Sequence, residues 1–133
     1  MDTKDKGNLA ELAAAKKAIS KGLSVSFPFG DNEKYDLIID YGDKLERAQV
    51  RKASQREGYL VFKCYSNHRS GGEIKRESFQ EDEIDVFLVR RQENDEIYRI
   101  PVDETPATEM RLRLGQTGNN QEKNVNWADD HLL

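Results

Sequence analysis

Apolar positions along this chain follow first a helical and then a two-residue period, and the change marks its elements. In "NLAELAAAKKAIS", Leu9, Leu12, Ala13, Lys16 and Ile19 fall on one face at three-to-four-residue spacing. Asn8 can cap this segment and Gly22 can end it, so the spacing predicts a helix over 8–21. Beyond it the period drops to two. "LSVSF" alternates Leu23, Val25 and Phe27 against serines, "PFGDNEK" connects, and strands are predicted over 35–40, 45–53 and 58–66. The stretch 67–83 reads as a polar, glycine-containing mobile loop with a helical turn near Phe79. A hairpin about Glu93–Asp95, a last strand in "EMRLRL" and a short helix in "WADDHLL" complete an α+β domain with a mostly antiparallel sheet.

The 133 residues suit one domain, 1–133, whose sheet is expected to be covered mainly by one helix layer. The apolar share of 36% is low beside 35% charged residues, but the apolar positions are periodic rather than scattered, which predicts a folded globule. No run approaches the ~20 apolar residues of a membrane span, and "MDTKDKGN" is polar where a signal peptide is apolar, so a cytoplasmic protein with no membrane partner is expected. The lone Cys64 alternates with Leu60 and Phe62 onto an apolar face, which makes it a core thiol rather than a nucleophile paired with His68. With a single cysteine, His68 and His131 are too few for a zinc site.

Polar residues inside the second and third strands change the picture. A turn at Gly42-Asp43 pairs positions that sum to 85 and sets Asp36 across from Gln49, with Cβ atoms about 5 Å apart. Asp36, Gln49 and Arg51 then share one face, while Leu37, Ile39, Ala48 and Val50 point to the other. On the helix, Glu11 is flanked three and four positions away by Gly7, Asn8, Ala14 and Ala15, so it lacks the usual cationic neighbour and is bordered by small side chains. If the helix crosses the polar face, Glu11, Asp36 and Gln49 assemble two carboxylates and an amide oxygen, a donor set suited to Mg²⁺. Such an ion activates water and stabilises charge on a phosphoryl group. By spacing alone, a solvated sheet face is the competing account of the same residues.

The net charge of −4 opposes non-specific nucleic-acid binding by the whole surface, yet "RKASQR", "NHRSGGEIKR" and "RLRL" concentrate cations locally. A solvated surface accounts for these runs as well.

Taken in order, "GNLAE", "FPFGDNEKYDLIID", "QVR", "EID", "IPVDE" and "RLRLGQTGNNQEKNVNWA" resemble the PD-(D/E)XK nucleases of the group I intron homing endonuclease type, over nearly the whole chain. The resemblance implies an αβββ core with added strands and Mg²⁺-dependent hydrolysis of phosphodiester bonds in DNA. Position by position, it makes Glu11 the helix carboxylate, Asp36 the central metal ligand, and Gln49 the occupant of a position that is often Asp or Glu. The family's lysine falls at position 51, where this chain has Arg51. Guanidinium is planar and keeps its proton, so this replacement implies either retained charge or weakened catalysis. Lys52 alternates to the opposite face, whereas Lys63 shares the outward face of the next strand with Val61 and Tyr65 and could stand in.

On this reading Arg56, Lys63, Arg69, Lys75 and Arg76 are candidates for phosphate contacts. The amides of "GNNQEKN" are candidates for base edges, or else form a polar turn with Trp127 anchoring the tail. One site per chain suits a homo-oligomer, a dimer or a tetramer, for cutting both strands. Two alternatives stay open: a DNA-binding module of the same fold without catalysis, and an interaction protein that uses no nucleic acid.

Overall fold

The computed structural model describes residues 1–115 and 125–133. Helix α1 runs over Thr3–Ser20, longer at its start than the sequence suggests, because Asp2 rather than Asn8 caps it by accepting from the Asp5 N–H at 2.9 Å. Gly22 ends it as expected: at φ 81° it lets its own N–H reach the Ile19 carbonyl and the Leu23 N–H reach the Ala18 carbonyl.

The face α1 buries differs from the predicted one. Ala10, Ala14, Ala15 and Ala18 are buried, whereas Leu9, Leu12 and Ile19 are exposed. Alanines at i, i+4 and i+8 let the helix axis approach the sheet closely, and that stripe packs on Leu37, Ile39, Ala48, Val50, Val86, Leu88 and Ile97.

The strands are β1 (Ser24–Ser26), β2 (Leu37–Asp40), β3 (Leu45–Lys52), β4 (Ser54–Arg56), β5 (Tyr59–Lys63), β6 (Tyr65–Ser70), β7 (Glu73–Ser78), β8 (Val86–Arg91), β9 (Glu96–Pro101) and β10 (Glu109–Arg113). A five-stranded sheet in the order β1-β2-β3-β8-β9 is antiparallel except for the parallel β3–β8 pair. The β2–β3 register is the predicted one, with Leu37 opposite Ala48 and Ile39 opposite Glu46. Gly42, at φ 93°, closes that hairpin while its N–H donates to Asp40 Oδ1.

The single-helix-layer expectation holds for one face only. The other face is covered by a second sheet, β10-β5-β4, over a core of Leu60, Phe62, Cys64, Ile84, Phe87, Val89, Tyr98, Ile100, Met110 and Leu112. Residues 67–83 are also not a simple loop: β6 and β7 form a two-stranded ribbon about Gly71 and Gly72, whose φ values of 61° and 86° suit a two-residue turn. One turn at 81–83 follows Phe79. The β8–β9 hairpin and β10 appear as predicted, and the terminal helix is a 3₁₀ turn over Ala128–His131. Ala128 is the buried anchor of the tail, with Trp127 half-buried beside Arg113. The "GNNQEKN" amides lie outside the described residues.

Candidate active site

Strand β3 outruns β2, and this mismatch builds the site. Beyond Leu37 the edge of β3 has no strand partner among the described residues, and Asp36 takes its place: its backbone N–H donates to the Ala48 carbonyl at 2.8 Å and its side-chain Oδ2 accepts from the Val50 N–H at 2.8 Å. After Lys52 the chain leaves the five-stranded sheet through Ala53, whose N–H donates to the Arg90 carbonyl, and joins the second sheet as β4. The corner between the two sheets, roofed by the first half of α1, is a cleft of about 980 Å³.

Glu11, Asp36, Gln49, Arg51, Arg56 and Lys63 all line it. The helix brings Glu11 there by a route the sequence did not suggest. It packs on the apolar Leu37 and Val50 face, not on the polar one, and the buried Ala10 beside it brings Glu11 to the open edge of β3 where Asp36 sits.

Electrostatics follow from this convergence. Burial raises the pKa of Glu11, and the nearby Asp36 charge raises it further. Burial also raises that of Asp36, against the opposing pulls of the Val50 N–H and the Arg51 guanidinium. Two half-buried carboxylates whose negative charge is penalised by burial form a pocket where a hard cation would be well placed. Among the described residues no group of three Asp, Glu, His or Cys side chains is gathered; the oxygen donors that could hold a metal in the cleft are those of Glu11, Asp36 and the Gln49 amide.

Arg51 is held as a structural tie. Its Nε donates to the Lys63 carbonyl at 3.1 Å, its Nη2 to the Tyr65 carbonyl at 3.0 Å, and its guanidinium lies 5.4 Å from the centre of the Phe79 ring. Burial lowers its pKa and Asp36 opposes that shift. Lys63 is exposed at the rim, opposite Glu109 in the strand register.

Lys6, Lys52 and Asn67 are among the further polar residues that line the cleft and that sequence reasoning did not assign, as are the acids Glu93 and Glu109. Lys6 was missed because a helix begun at Asn8 leaves it outside; the Asp2 cap was the available signal. Lys52 was placed on the opposite face by alternation, but β3 ends there and the chain turns into the corner. Arg69, Lys75 and Arg76 lie outside the cleft on the β6–β7 ribbon, which begins at its edge with Tyr65. Cys64 is buried among Leu60 and Phe62 with its thiol pushed up to about 12 by burial, and His68 pairs instead with Glu77, so neither forms a nucleophilic pair.

No curated protein matches the chain. Among solved structures it is similar to a bacterial homing endonuclease, I-Ssp6803I, with a TM-score of 0.79 and 26% identity over 99% of this chain and 89% of that one. The family model for PD-(D/E)XK endonucleases matches residues 1–133. A helix carboxylate and the carboxylate just before β2 thus line one cleft at the open edge of a mixed sheet, in a chain that belongs to the PD-(D/E)XK endonuclease family.

Proposed function

We propose that this chain is a Mg²⁺-dependent DNA endonuclease of the homing type that hydrolyses phosphodiester bonds. The observation that carries this reading is the convergence of Glu11 and Asp36, each with a raised pKa, with Gln49 in an open cleft that also holds Lys6, Arg56 and Lys63. Glu11, Asp36 and Gln49 would hold the metal, and the bond from Val50 N–H fixes Asp36 in place before any ligand arrives. When bound, such a cation supplies Lewis acidity toward a phosphoryl oxygen and the attacking water.

The remaining residues serve the substrate. Arg56, Lys63 and Lys6 neutralise phosphates along the cleft, and Arg69, Lys75 and Arg76 extend cationic contact onto the ribbon. With Arg51 committed to two carbonyls, orienting a water near the carboxylates falls to a cleft amine, and we assign it to Lys63 ahead of Lys6 and Lys52, because Lys63 lies on β5 and its own backbone carbonyl holds Arg51. One chain supplies one such cluster, so a double-strand cut calls for a homo-oligomer, a dimer or a tetramer, detectable by sedimentation with and without a duplex.

Nicking assays with Mg²⁺ on plasmid and branched DNA test the reading. Asp36→Asn should abolish cutting and leave DNA binding intact or tighter, and retained cutting would remove Asp36 from the metal site. That commitment of Arg51 to backbone carbonyls also supports a second reading, a DNA-binding module of nuclease fold with little or no catalysis. Binding without cutting by the native chain, with cutting restored in Arg51→Lys, would favour it. If the native chain cuts, Lys63→Met decides which cation works: cutting lost with binding kept points to Lys63.

A further inference from the structure

We propose that the β6–β7 ribbon is a sequence reader that enters the DNA major groove and presents Asn67, Arg69 and Ile74 to base edges. This rests on the DNA-cleaving reading above and adds to it the residues that choose the target.

The strand register divides the ribbon into two faces, because directly opposed residues point the same way. Asn67 pairs with Arg76 and Arg69 with Ile74 on one face; Ser66 pairs with Glu77, His68 with Lys75 and Ser70 with Glu73 on the other. Side-chain contacts agree with this division. Arg76 lies 4.6 Å from the centre of the Tyr65 ring on the first face, and His68 Nδ1 lies 3.3 Å from Glu77 on the second.

Charge is therefore sorted. Both glutamates fall on the second face beside Lys75 and His68, while the first carries two arginines and no acid. A merely solvated ribbon has no reason to sort its charges this way; a polyanion lying on one face supplies one. Phosphate alone, however, would not call for an amide and an isoleucine. Ile74 stands 65% exposed on that face, opposite Arg69 and two residues from Arg76. Base edges in the major groove match all three chemistries: Arg to guanine O6 and N7, Asn to adenine N6 and N7, and an apolar group to the thymine methyl.

Dimensions and position fit the same partner. The groove, about 12 Å wide, admits a two-stranded ribbon, and the six-residue strands of this one extend roughly 20 Å. Its tip is a narrow Gly71-Gly72 turn. Its base is tied to the cleft by the Arg51 bond to the Tyr65 carbonyl, and Asn67 lies in the cleft wall. The base pairs it reads therefore lie a few steps from the phosphate that would be cut beside the metal site proposed at Asp36.

Selection of bound duplexes from a randomised pool tests this, with Ca²⁺ in place of Mg²⁺ so that binding is read apart from cutting. The native chain should enrich a motif. Arg69→Ala should relax the preference for guanine at one position by about 10- to 100-fold, and Asn67→Ala should relax adenine at a position nearer the cut. Lys75→Ala, on the other face, should weaken all sequences alike. Thermal melting of each variant checks that the fold is kept. If Arg69→Ala and Asn67→Ala weaken binding uniformly and leave the motif unchanged, the ribbon is a phosphate clamp and the inference falls while the nuclease reading stands. A native chain that binds DNA but enriches no motif also overturns it, and one that binds no DNA overturns both.

Discussion

Asp36 does two jobs that pull against each other: it completes the edge of β3 as a backbone acceptor and it holds charge in a half-buried place. Because its folded pKa is raised, the cost of its ionised form is absent below the unfolded value near 3.8 and appears as pH rises through the folded one. Asp36→Asn keeps an acceptor for Val50 N–H and removes that charge. We expect the variant to melt at a higher temperature than the native chain at pH 7, with the difference closing toward pH 3.5. Mg²⁺ should raise the melting temperature of the native chain and leave that of the variant unchanged, a readout independent of cutting. Arg51 presents the opposite balance. Arg51→Lys frees two carbonyls from their guanidinium and should cost about 1–3 kcal/mol in a denaturant titration. On the second reading of the site it should nevertheless raise the nicking rate by ~10² or more.

At the scale of elements, helix α1 tests which of its two stripes carries stability. Ala14 is fully buried against the sheet, so Ala14→Leu overpacks a close contact and should cost about 1–3 kcal/mol. Leu12 is 63% exposed, and Leu12→Ala should change stability by no more than about 0.5 kcal/mol. Midpoints of urea unfolding check both, and the reverse order would mean that the leucine stripe faces the sheet. The same docking sets Glu11 beside Asp36, so Ala14→Leu should also weaken the Mg²⁺-induced rise in melting temperature.

Across the whole molecule, the five-stranded sheet is laced at the end away from the cleft by Glu46 on β3 and Arg99 on β9, which reach across β8. Burial alone would raise the pKa of Glu46, but the Arg99 hydrogen bonds, the Tyr41 hydroxyl and the Arg99 charge, with a smaller pull from Lys44, outweigh it and hold the carboxyl below its usual value. Its stabilising contribution is therefore present above about pH 4.5 and lost as pH falls through the lowered folded pKa. Arg99→Met leaves Glu46, only 6% exposed, with Lys44 at 3.6 Å as its remaining ion-pair partner. It should cost about 3 kcal/mol at pH 7 and much less at pH 3, as seen in paired denaturant titrations. Binding should likewise be a local property of an acidic molecule: the net charge is −4, so affinity should fall with salt along a slope that reports the few phosphates met by cleft and ribbon.

By itself the sequence determined what depends on neighbours close along the chain. The turn at Gly42 and period-two alternation were enough for the β2–β3 register and for Cys64 in the core. Ordered motifs along the chain were enough for the family. Tertiary structure decided what depends on partners distant in sequence. Leucines outrank alanines on any hydrophobic scale, so periodicity chose Leu9, Leu12 and Ile19, but a helix settling close on a sheet selects for small side chains and buried Ala10, Ala14 and Ala18. Residues 67–83 carry little apolar alternation because both faces of their ribbon meet solvent, which left pairing invisible to a pattern built on one buried face. The fate of Arg51 was hidden for the same reason: its acceptors are carbonyls of Lys63 and Tyr65, and backbone atoms carry no side-chain signature in a sequence.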